Sequence, residues 1–595
     1  MRAAILHQIP GRAVCLTLFV TALLPVLTWS KPATQSPETV IAFVNVNVIP
    51  MDREVVVPRQ TVIVRGGRIV AIGTTEAIVV PESATVIDGS NRYLLPGLAD
   101  MHVHLEGREN FGDAPMFLAY GITTVLNLRG FPKHLTWKRE IAEGKLLAPH
   151  LYTSGEFVNE PLETTPEEVQ REVIRQKNAG YDVIKFHEIV ADGRYVTTRG
   201  LSRPAYDAMN ATARQIGIPL IGHTPDTLGL QAVLDDHQSL AHSGILVALY
   251  FVPSKSLSTF GFLSFGSLAL MLLLCLILLT AGATSHLRHS GSSLKPEITR
   301  ASLLSACAVF FIVLWPGYGL LSGSLTLLLA VTTLALLIAT LSIAACLFSE
   351  RTWRSRIGSK PVRAIFTLLA IASIAFSLSL AYWVPVAWRT NDSNLAALAD
   401  KCKRAGIWVE PTLVIYQNVN RMMEGRSGEL LANPIMQYVP PDIGSGWAGI
   451  PSYRPPLQAR LMGFLFRRTL LLSERTTGAM QRGGVPLMLG TDTFGFPFCV
   501  PGKSAHDELH LLVKSGLTPY QALQTATVNP ATFLGKENEF GTVSVGKRAD
   551  LLLVDGNPLQ DMNRLEHPLG VMVRGHWLEA ETLAQMLAEL SKAGQ

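Results

Sequence analysis

The sequence is poor in charge. Only 16% of its 595 residues are Asp, Glu, Lys or Arg, whereas 48% are hydrophobic, and that balance is unusual for a soluble globular protein. The net charge is +5, yet the basic residues form no patch of the kind that binds nucleic acid. We therefore expect no nucleic-acid partner, and we look for segments in which apolar residues are concentrated.

Four long runs lack Asp, Glu and Lys altogether; they are 259–283, 301–321, 323–348 and 363–386. Each is long enough to cross a hydrocarbon core of about 30 Å as a helix. The absence of acidic groups and lysine inside them disfavours an ion pathway, and hence a transporter. The sequence therefore predicts a four-span helical membrane bundle inserted into an otherwise globular chain.

Basic residues fix the expected orientation of this bundle. They occur in the link after the first run, around Arg288 and Lys295, and in the link after the third, around Arg351 and Lys360. Links rich in Lys and Arg stay in the cytoplasm. We therefore predict a multi-pass protein of the cytoplasmic membrane whose globular region lies on the periplasmic or extracellular side.

The first 30 residues agree with export. Arg2 and Arg12 precede an apolar run from Ala13 to Trp29, which is typical of a signal peptide. An uncleaved N-terminal anchor is the alternative, and both send the following chain across the membrane.

Cysteine is also scarce. Only Cys402 and Cys499 lie outside the apolar segments. They could form a disulfide in an oxidising compartment or remain two buried thiols, and spacing alone does not decide between these states.

The most informative segment that is present runs from Leu94 to Leu105 and contains His102 and His104. Residues two apart on a strand point to the same face. Two imidazoles on one face, at the end of an apolar strand, can bind a single metal ion.

Strand and helix patterns alternate through the rest of the globular region. Candidate strands are 99–104, 122–128, 149–154, 181–187, 218–223, 239–243, 407–414 and 485–491. Eight such steps predict an α/β fold, a (β/α)8 TIM barrel, with a small β-sandwich built from the two chain ends. The predicted organisation is a signal or anchor (1–30), the N-terminal half of the β-sandwich (38–95), the N-terminal half of the barrel (96–250), the membrane insert (257–388), the C-terminal half of the barrel (390–535) and the C-terminal half of the β-sandwich with the tail (536–595).

Groups that can bind a metal follow the carboxyl ends of these strands, where the active sites of such barrels lie. They are His102, His104, Lys185, His223, His242 and Asp492. Any one of them alone would more often be structural, but six at strand ends of one barrel indicate a metal centre.

These motifs resemble the amidohydrolase superfamily, specifically its imidazolonepropionase-like and prolidase-like hydrolases. The resemblance rests on Pro-Gly-Leu-Ala-Asp-Met-His-Val-His from Pro96, Asp-Val-Ile-Lys from Asp182, two isolated histidines and Gly-Thr-Asp from Gly490. It implies two divalent metal ions, with zinc as the first expectation: His102, His104 and Asp492 on the more buried ion, His223 and His242 on the other. It further implies that Lys185 reacts with CO₂ and bridges the ions as a carbamate.

The implied activity is hydrolysis of C–N bonds in an amide, peptide or cyclic amide through a metal-activated water, with Asp492 as general base. His187, Arg129 and Tyr416 are the expected substrate-binding residues. Small molecules or peptides, including amphiphilic ones, are the expected substrates; the lipid bilayer is the expected partner, and a homo-oligomer stays open. A phosphoester or lactone hydrolase on the same metals, and a non-catalytic membrane sensor, are the alternatives.

The insert follows the sixth strand directly, next to His242. In these barrels the loop after a strand lies on the active-site face. The insertion point predicts that the bundle holds the active-site mouth near the membrane surface, with a simple tether and a soluble substrate as the alternative.

Overall fold

The fold was analysed in a computed structural model of the chain. The residues that it describes are 39–105, 107–159, 162–188, 200–225, 228–243, 263, 266–274, 276–277, 325–356, 359–449 and 456–593. The predicted signal or anchor, 1–30, lies outside them.

Within these described residues, fifteen strands are numbered in chain order: β1 Val40–Val48, β2 Val57–Arg65, β3 Arg68–Thr74, β4 Thr85–Asp88, β5 Tyr93–Pro96, β6 Leu98–Val103, β7 Ile122–Asn127, β8 His150–Thr153, β9 Ile184–Phe186, β10 Leu220–Gly222, β11 Ser239–Ala241, β12 Val409–Glu410, β13 Leu551–Val554, β14 Gly570–Val573 and β15 His576–Glu579.

The helices are Ala114–Ala119, Pro132–Ala142, Pro166–Ala179, Arg203–Gln215, Gly229–Asp236, Leu325–Arg354, Lys360–Arg389, Asp392–Arg404, Leu413–Met423, Ser427–Leu431, Pro441–Gly449, Pro456–Gly483, Lys503–Lys514, Pro519–Thr525, Val528–Phe533 and Ala580–Ala593, with 3₁₀ turns at Glu109–Phe111, Pro434–Tyr438 and Met562–Leu565.

Local sequence signals explain several helix ends. Thr165 caps the helix Pro166–Ala179, because its side chain accepts from the backbone N–H of Glu168. The Glu168 side chain in turn accepts from the backbone N–H of Thr165. Gly180 ends that helix with a left-handed φ of 98°, a conformation that glycine adopts without steric cost.

The two chain ends meet in one sheet. Strands β15, β14, β13, β5, β1, β2 and β3 follow one another across it, and β4 pairs with β1. The two halves of the predicted β-sandwich face each other, since the rings of Phe43 in β1 and Trp577 in β15 are 5.2 Å apart, and they are joined into one continuous eight-stranded sheet. The reason is that β5 bridges the halves: it pairs with β1 on one side and with β13 on the other.

The parallel strands form a closed ring. One sheet contains β6, β7 and β8, and a second contains β9, β10, β11 and β12. The bridge Ser154–Val183 joins the two sheets to each other. The bridge Val409–Leu487 joins β12 to an eighth segment, and the bridge Val103–Thr493 joins that segment back to β6 and closes the ring. This eighth segment is the one predicted as a strand over 485–491. It is held in the ring by these bridges and by backbone hydrogen bonds with β6. The α/β fold is therefore confirmed, with helices on the outside of a parallel ring.

The sheet from the chain ends lies at the amino-end side of this ring. Strand β5 runs almost directly into β6, and the Gly97 N–H donates to the Asp550 carbonyl oxygen. Arg574 reaches the loop before β8 and donates to the carbonyl oxygens of Leu146 and Ala148. The opposite, carboxyl-end side is therefore left for the site.

The insert between β11 and β12 is only partly covered by the described residues. Its helices Leu325–Arg354 and Lys360–Arg389 pack against each other. Within them, Thr332–Arg354 and Lys360–Ala381 are long and apolar enough to cross a membrane, and the described residues contain no further helix of this kind. The predicted four-span bundle is thus not supported. The run 301–321 lies outside the described residues, as does much of 259–283, of which 266–274 is helical.

Both globular cysteines are free thiols. Cys402 and Cys499 are buried and unpaired with each other. Of the two alternatives for this pair, the structure has the buried thiols, and burial raises the pKa of Cys402 to about 12, so this thiol stays protonated.

Candidate metal centre

The predicted metal ligands converge at the carboxyl ends of the ring strands. His102 is the fifth residue of β6, and Lys185 is in the middle of β9. His223 and His242 directly follow β10 and β11. All four are buried, as is Asp492. The strand ends therefore bring basic and acidic side chains together in the interior.

Three of these side chains form the closest group. The potential ligand atoms of His102, His242 and Asp492 all lie within 4.8 Å of one another. His104 joins them, because its Nε2 is 2.8 Å from Oδ1 of Asp492. The Nε2 atom of His102 is 3.5 Å from the same oxygen. These distances match a donor set that surrounds a small cation.

A second pair of imidazoles continues the group. The rings of His223 and His242 are 4.9 Å apart, and the ring of His187 lies 4.3 Å from that of His223. His242 therefore belongs to the group with His102 and Asp492 and also contacts His223, which extends the cluster of imidazoles.

The Nδ1 atoms of three histidines have partners that the sequence did not reveal. Nδ1 of His102 lies 3.0 Å from Oε2 of Glu410, and Nδ1 of His242 lies 2.9 Å from Oγ1 of Thr412. Nδ1 of His223 donates to the Glu188 carbonyl oxygen at 2.9 Å. A partner on Nδ1 fixes the ring and leaves Nε2 for a metal. Glu410 ends β12, so the strand-end rule that found the ligands would have found it too.

The backbone at the site is strained. Three non-glycine residues have left-handed φ angles: His242 at 64°, Thr412 at 50° and Asp492 at 56°. Such conformations cost on the order of 1–3 kcal/mol each and collect at functional sites. Gly490 is needed for a different reason, since a Cβ there would lie 2.8 Å from Cβ of His102.

Burial controls the charges of these groups. It lowers the pKa of His102 and His223 well below the ordinary value and that of His242 to about 3. The imidazoles are therefore neutral and keep a lone pair for a cation. Burial by itself raises the pKa of Asp492, but the hydrogen bond from His104 and nearby positive groups outweigh it, so the pKa lies below the usual value and the carboxylate is ionised.

Lys185 has an unusual environment. Its side chain is fully buried, and Nζ has no hydrogen-bond partner among the described residues. Burial lowers its pKa to about 8. Oε1 of Glu410 is likewise buried without a hydrogen-bond partner in this portion of the chain. Unsatisfied buried polar atoms of this kind indicate a site built for an additional group.

Two of the expected substrate-binding residues lie against the same aromatic ring, and the third lies on a separate helix. The His187 ring stacks on Phe157 with centroids 4.2 Å apart, and the guanidinium of Arg129 lies 5.4 Å from the same Phe157 ring. Arg129 is exposed. Tyr416 is half-buried in the first turns of the helix Leu413–Met423. His187 and Arg129 therefore share Phe157, whereas Tyr416 belongs to a separate element.

Comparison with known proteins finds similarity to one family over a segment of this chain. Residues 473–578 match the profile described as "Amidohydrolase family". Over 93 residues the chain is 38% identical to an imidazolonepropionase from Sphingopyxis alaskensis, covering 15% of this chain and 22% of that protein. Over 87 residues it is 38% identical to an adenine deaminase from Rubrobacter xylanophilus, covering 13% and 14%. The chain spans about a fifth of the length of these curated relatives.

Solved structures resemble the whole fold. Bottromycin amidohydrolase superposes with a TM-score of 0.55 at 19% identity, covering 93% of this chain and 90% of the other. A Xaa-Pro dipeptidase with bound methionine in its active site gives 0.51 at 15% identity, covering 91% and 100%. The fold of the chain is therefore the α/β fold of these solved structures, and its residues 473–578 match the amidohydrolase family profile.

Proposed function

We propose that this protein is a membrane-anchored, metal-dependent amidohydrolase that cleaves C–N bonds of amides, dipeptides or cyclic amides outside the cytoplasm. The observation that carries the proposal is the group formed by His102, His242 and Asp492 within 4.8 Å. The orienting partners on Nδ1 of His102 and His242 add to it, because surface histidines have no need of them.

The residues present fit two divalent ions. His102, His104 and Asp492 would hold one, and His223 and His242 the other; zinc suits the imidazole-rich set. Lys185 would bridge them as a carbamate, for which its lowered pKa is suitable because only a neutral amine attacks CO₂. When bound, the ions would supply acidification of the attacking water and polarisation of the scissile carbonyl group.

The protein's own acid–base group in this proposal is Asp492. Its lowered pKa keeps it ionised, so it can accept the proton of the attacking water. It then passes that proton to the leaving amine nitrogen. Nε2 of His104 lies 2.8 Å from Oδ1 of Asp492, so these two proposed ligands of the same ion face each other.

Arg129 and His187 would orient the substrate. The Arg129 guanidinium lies over Phe157, and Phe157 stacks on His187, which is next to His223. A substrate carboxylate at Arg129 would thereby be held on the side of the His223 ligand. Tyr416, for which we propose a contact with the carbonyl oxygen, would complete the substrate site.

Export and anchoring rest on the described helices of the insert. Arg351, Arg354, Arg356, Lys360 and Arg363 all lie at the turn between the two apolar helices. A turn this basic is expected in the cytoplasm. The Arg389 end of the hairpin, and the helix Asp392–Arg404 that follows it, would then lie on the other side.

The experiment is hydrolysis of a pooled dipeptide and N-acyl amino acid library by the detergent-purified chain loaded with zinc and bicarbonate. Asp492→Asn should lower turnover by about 10²–10⁴-fold, and a chelator should abolish it. Asp507→Asn, which alters a half-buried carboxylate paired with Lys503, is the control and should leave it unchanged. Equal activity in Asp492→Asn and the unaltered chain would refute the mechanism.

A further inference from the structure

The hairpin formed by Leu325–Arg354 and Lys360–Arg389 has the surface of a membrane segment. Its outward side chains are large and apolar: Leu336, Ile343, Leu347 and Leu378 are each at least 60% exposed. A soluble protein rarely exposes so much contiguous apolar surface.

Polar contacts lie between the two helices instead. Oγ of Ser342 donates to the Ser373 carbonyl oxygen and lies 3.0 Å from Oγ of Ser377. Oγ of Ser349 is 3.0 Å from Oγ1 of Thr367. Small hydroxyl residues inside and large apolar residues outside are the arrangement of helices that pack in lipid.

The basic turn of the hairpin adds an interfacial anchor. Trp353, half exposed, donates from Nε1 to Oγ1 of Thr367, and the Arg363 guanidinium lies 4.8 Å from its ring. Tryptophan beside arginine at a helix end is typical of the headgroup region. The turn therefore marks one membrane surface, and the other end of the hairpin marks the second.

That other end joins the ring at its carboxyl-end side. Only Thr390 and Asn391 separate the hairpin from the helix Asp392–Arg404. Thr390 is buried, and its carbonyl oxygen accepts from Arg475. Two residues span at most about 7 Å, so the hairpin leaves close to the start of that helix.

The helix Asp392–Arg404 establishes which side this is. At its far end the Ala405 carbonyl oxygen accepts from Nδ1 of His237 at 2.7 Å, and His237 precedes β11 at the amino-end side of the ring. The helix thus runs from the carboxyl-end side, where His242 and Asp492 lie, to the opposite side. The hairpin and the metal-ligand group occupy the same side of the ring, whereas the eight-stranded sheet occupies the other.

Apolar side chains also line the site on this side. Phe494 and Phe496 are half-buried and flank Gly495, where a Cβ would lie 2.2 Å from Oδ1 of Asp492. Phe494 lies 6.3 Å from the Trp447 ring. An alkyl chain that extends from a substrate at Asp492 would therefore meet aromatic carbon.

We propose that the hairpin holds the carboxyl-end side of the ring against the lipid surface, and that the substrates are amides bearing a long acyl chain that enter from that surface. The substrate half of this inference rests on the proposed hydrolase function. The docking half rests on the hairpin and its point of attachment alone.

Docking is tested by lipid-headgroup nitroxide quenching of a fluorophore on the full chain in vesicles, in a background with its own cysteines replaced by alanine. Leu162→Cys places the label in the exposed loop after β8, at the carboxyl-end side, and Lys145→Cys places it in the exposed loop before β8. We expect several-fold stronger quenching at position 162. Equal quenching, or stronger quenching at position 145, would overturn the docking.

The substrate class is tested with N-acetylglycine and N-dodecanoylglycine in the same vesicles. We expect kcat/KM to be at least about tenfold higher for the longer amide, because its acyl chain partitions into the vesicle and concentrates it at the surface that the site faces. Equal kcat/KM for both would overturn the substrate half while supporting the hydrolase. If neither amide is hydrolysed, both the proposed hydrolase function and the proposed substrate class are contradicted for N-acylglycines. The quenching result would still decide whether the ring docks on the lipid surface.

Discussion

Nδ1 of His102 lies 3.0 Å from Oε2 of Glu410, and both side chains are fully buried. Glu410 is at the end of β12 and is separated from His102 by 308 residues in the sequence. With Nδ1 held there, Nε2 of His102 is the atom left to face Asp492. Glu410 is thus a positioning residue for a proposed ligand.

Glu410→Ala should weaken zinc binding by about 10–100-fold, because the His102 ring loses the group that orients it. Competition with a chromophoric chelator measures the affinity. Glu429→Gln, at an exposed carboxylate paired with Arg426, is the control. Unchanged zinc affinity in a folded Glu410→Ala chain would show that the contact has no such role.

Thr412 has the corresponding role for His242. Its Oγ1 is 2.9 Å from Nδ1 of His242. Thr412→Val keeps the shape but removes the hydroxyl. We therefore expect the affinity for the ion proposed at His223 and His242 to fall by about 10–100-fold. Thr412→Ser keeps the hydroxyl and should retain the affinity of the unaltered chain. If both variants lose the ion equally, the left-handed backbone at Thr412, and not its hydroxyl, is what matters.

Lys185 should react with CO₂ in a pH-dependent way. With its pKa lowered to about 8, about half of the side chains are neutral at pH 8, against under about 1% for an ordinary lysine. The neutral fraction rises with pH, so the carbamate should be absent near pH 6 and grow through pH 8.

The ¹³C resonance of a carbamate in metal-free protein equilibrated with ¹³C-bicarbonate measures this reaction. The signal should be missing from Lys185→Ala and present in Lys177→Ala, which alters an exposed helix lysine. A signal that persists in Lys185→Ala would assign the modification to a different residue.

The sequence predicted the ring, because its elements depend on local patterns, and it predicted side chains that the structure brings together at one side of the ring. The strand predicted at 122–128 is found at Ile122–Asn127, and the helix Pro166–Ala179 begins at its capping residue Thr165. Periodic burial and capping residues decide such elements, and a ligand at a strand end needs only the strand pattern.

Other features depend on long-range pairing that local patterns do not contain. The single sheet from the chain ends requires β5 to pair with β13, some 450 residues away. The contact of Glu410 with His102 spans 308 residues. Helices such as Leu413–Met423 begin within a segment predicted as strand up to 414, since Glu508 accepts from the backbone N–H groups of Leu413 and Val414 and starts the helix there.

A buried ion pair lies where the sheet meets the ring, and its Arg548 also donates to Oγ1 of Thr124 in β7. Asp550 accepts from Nε of Arg548 and from the backbone N–H of Arg574, and it is 5% exposed. Burial by itself raises the pKa of Asp550, but the positive charge of Arg548 outweighs it and holds the pKa well below the usual range. A carboxylate whose pKa is lowered by folding stabilises the folded state above its unfolded pKa of about 4, and this contribution is lost as the pH falls.

Asp550→Asn should therefore lower the free energy of unfolding at pH 7 by about 3–5 kcal/mol, because it leaves a buried guanidinium without its counter-charge. The deficit should shrink as the pH falls below about 4, where the unaltered chain begins to lose the same ion pair. Midpoints of thermal unfolding in detergent at pH 7 and at pH 3 measure both effects. Asp555→Asn, which removes an exposed partner of Arg564, should change neither midpoint appreciably. A deficit that is equally large at both pH values would mean that the lost contact is the hydrogen bond to the Arg574 backbone and not the charge on Asp550.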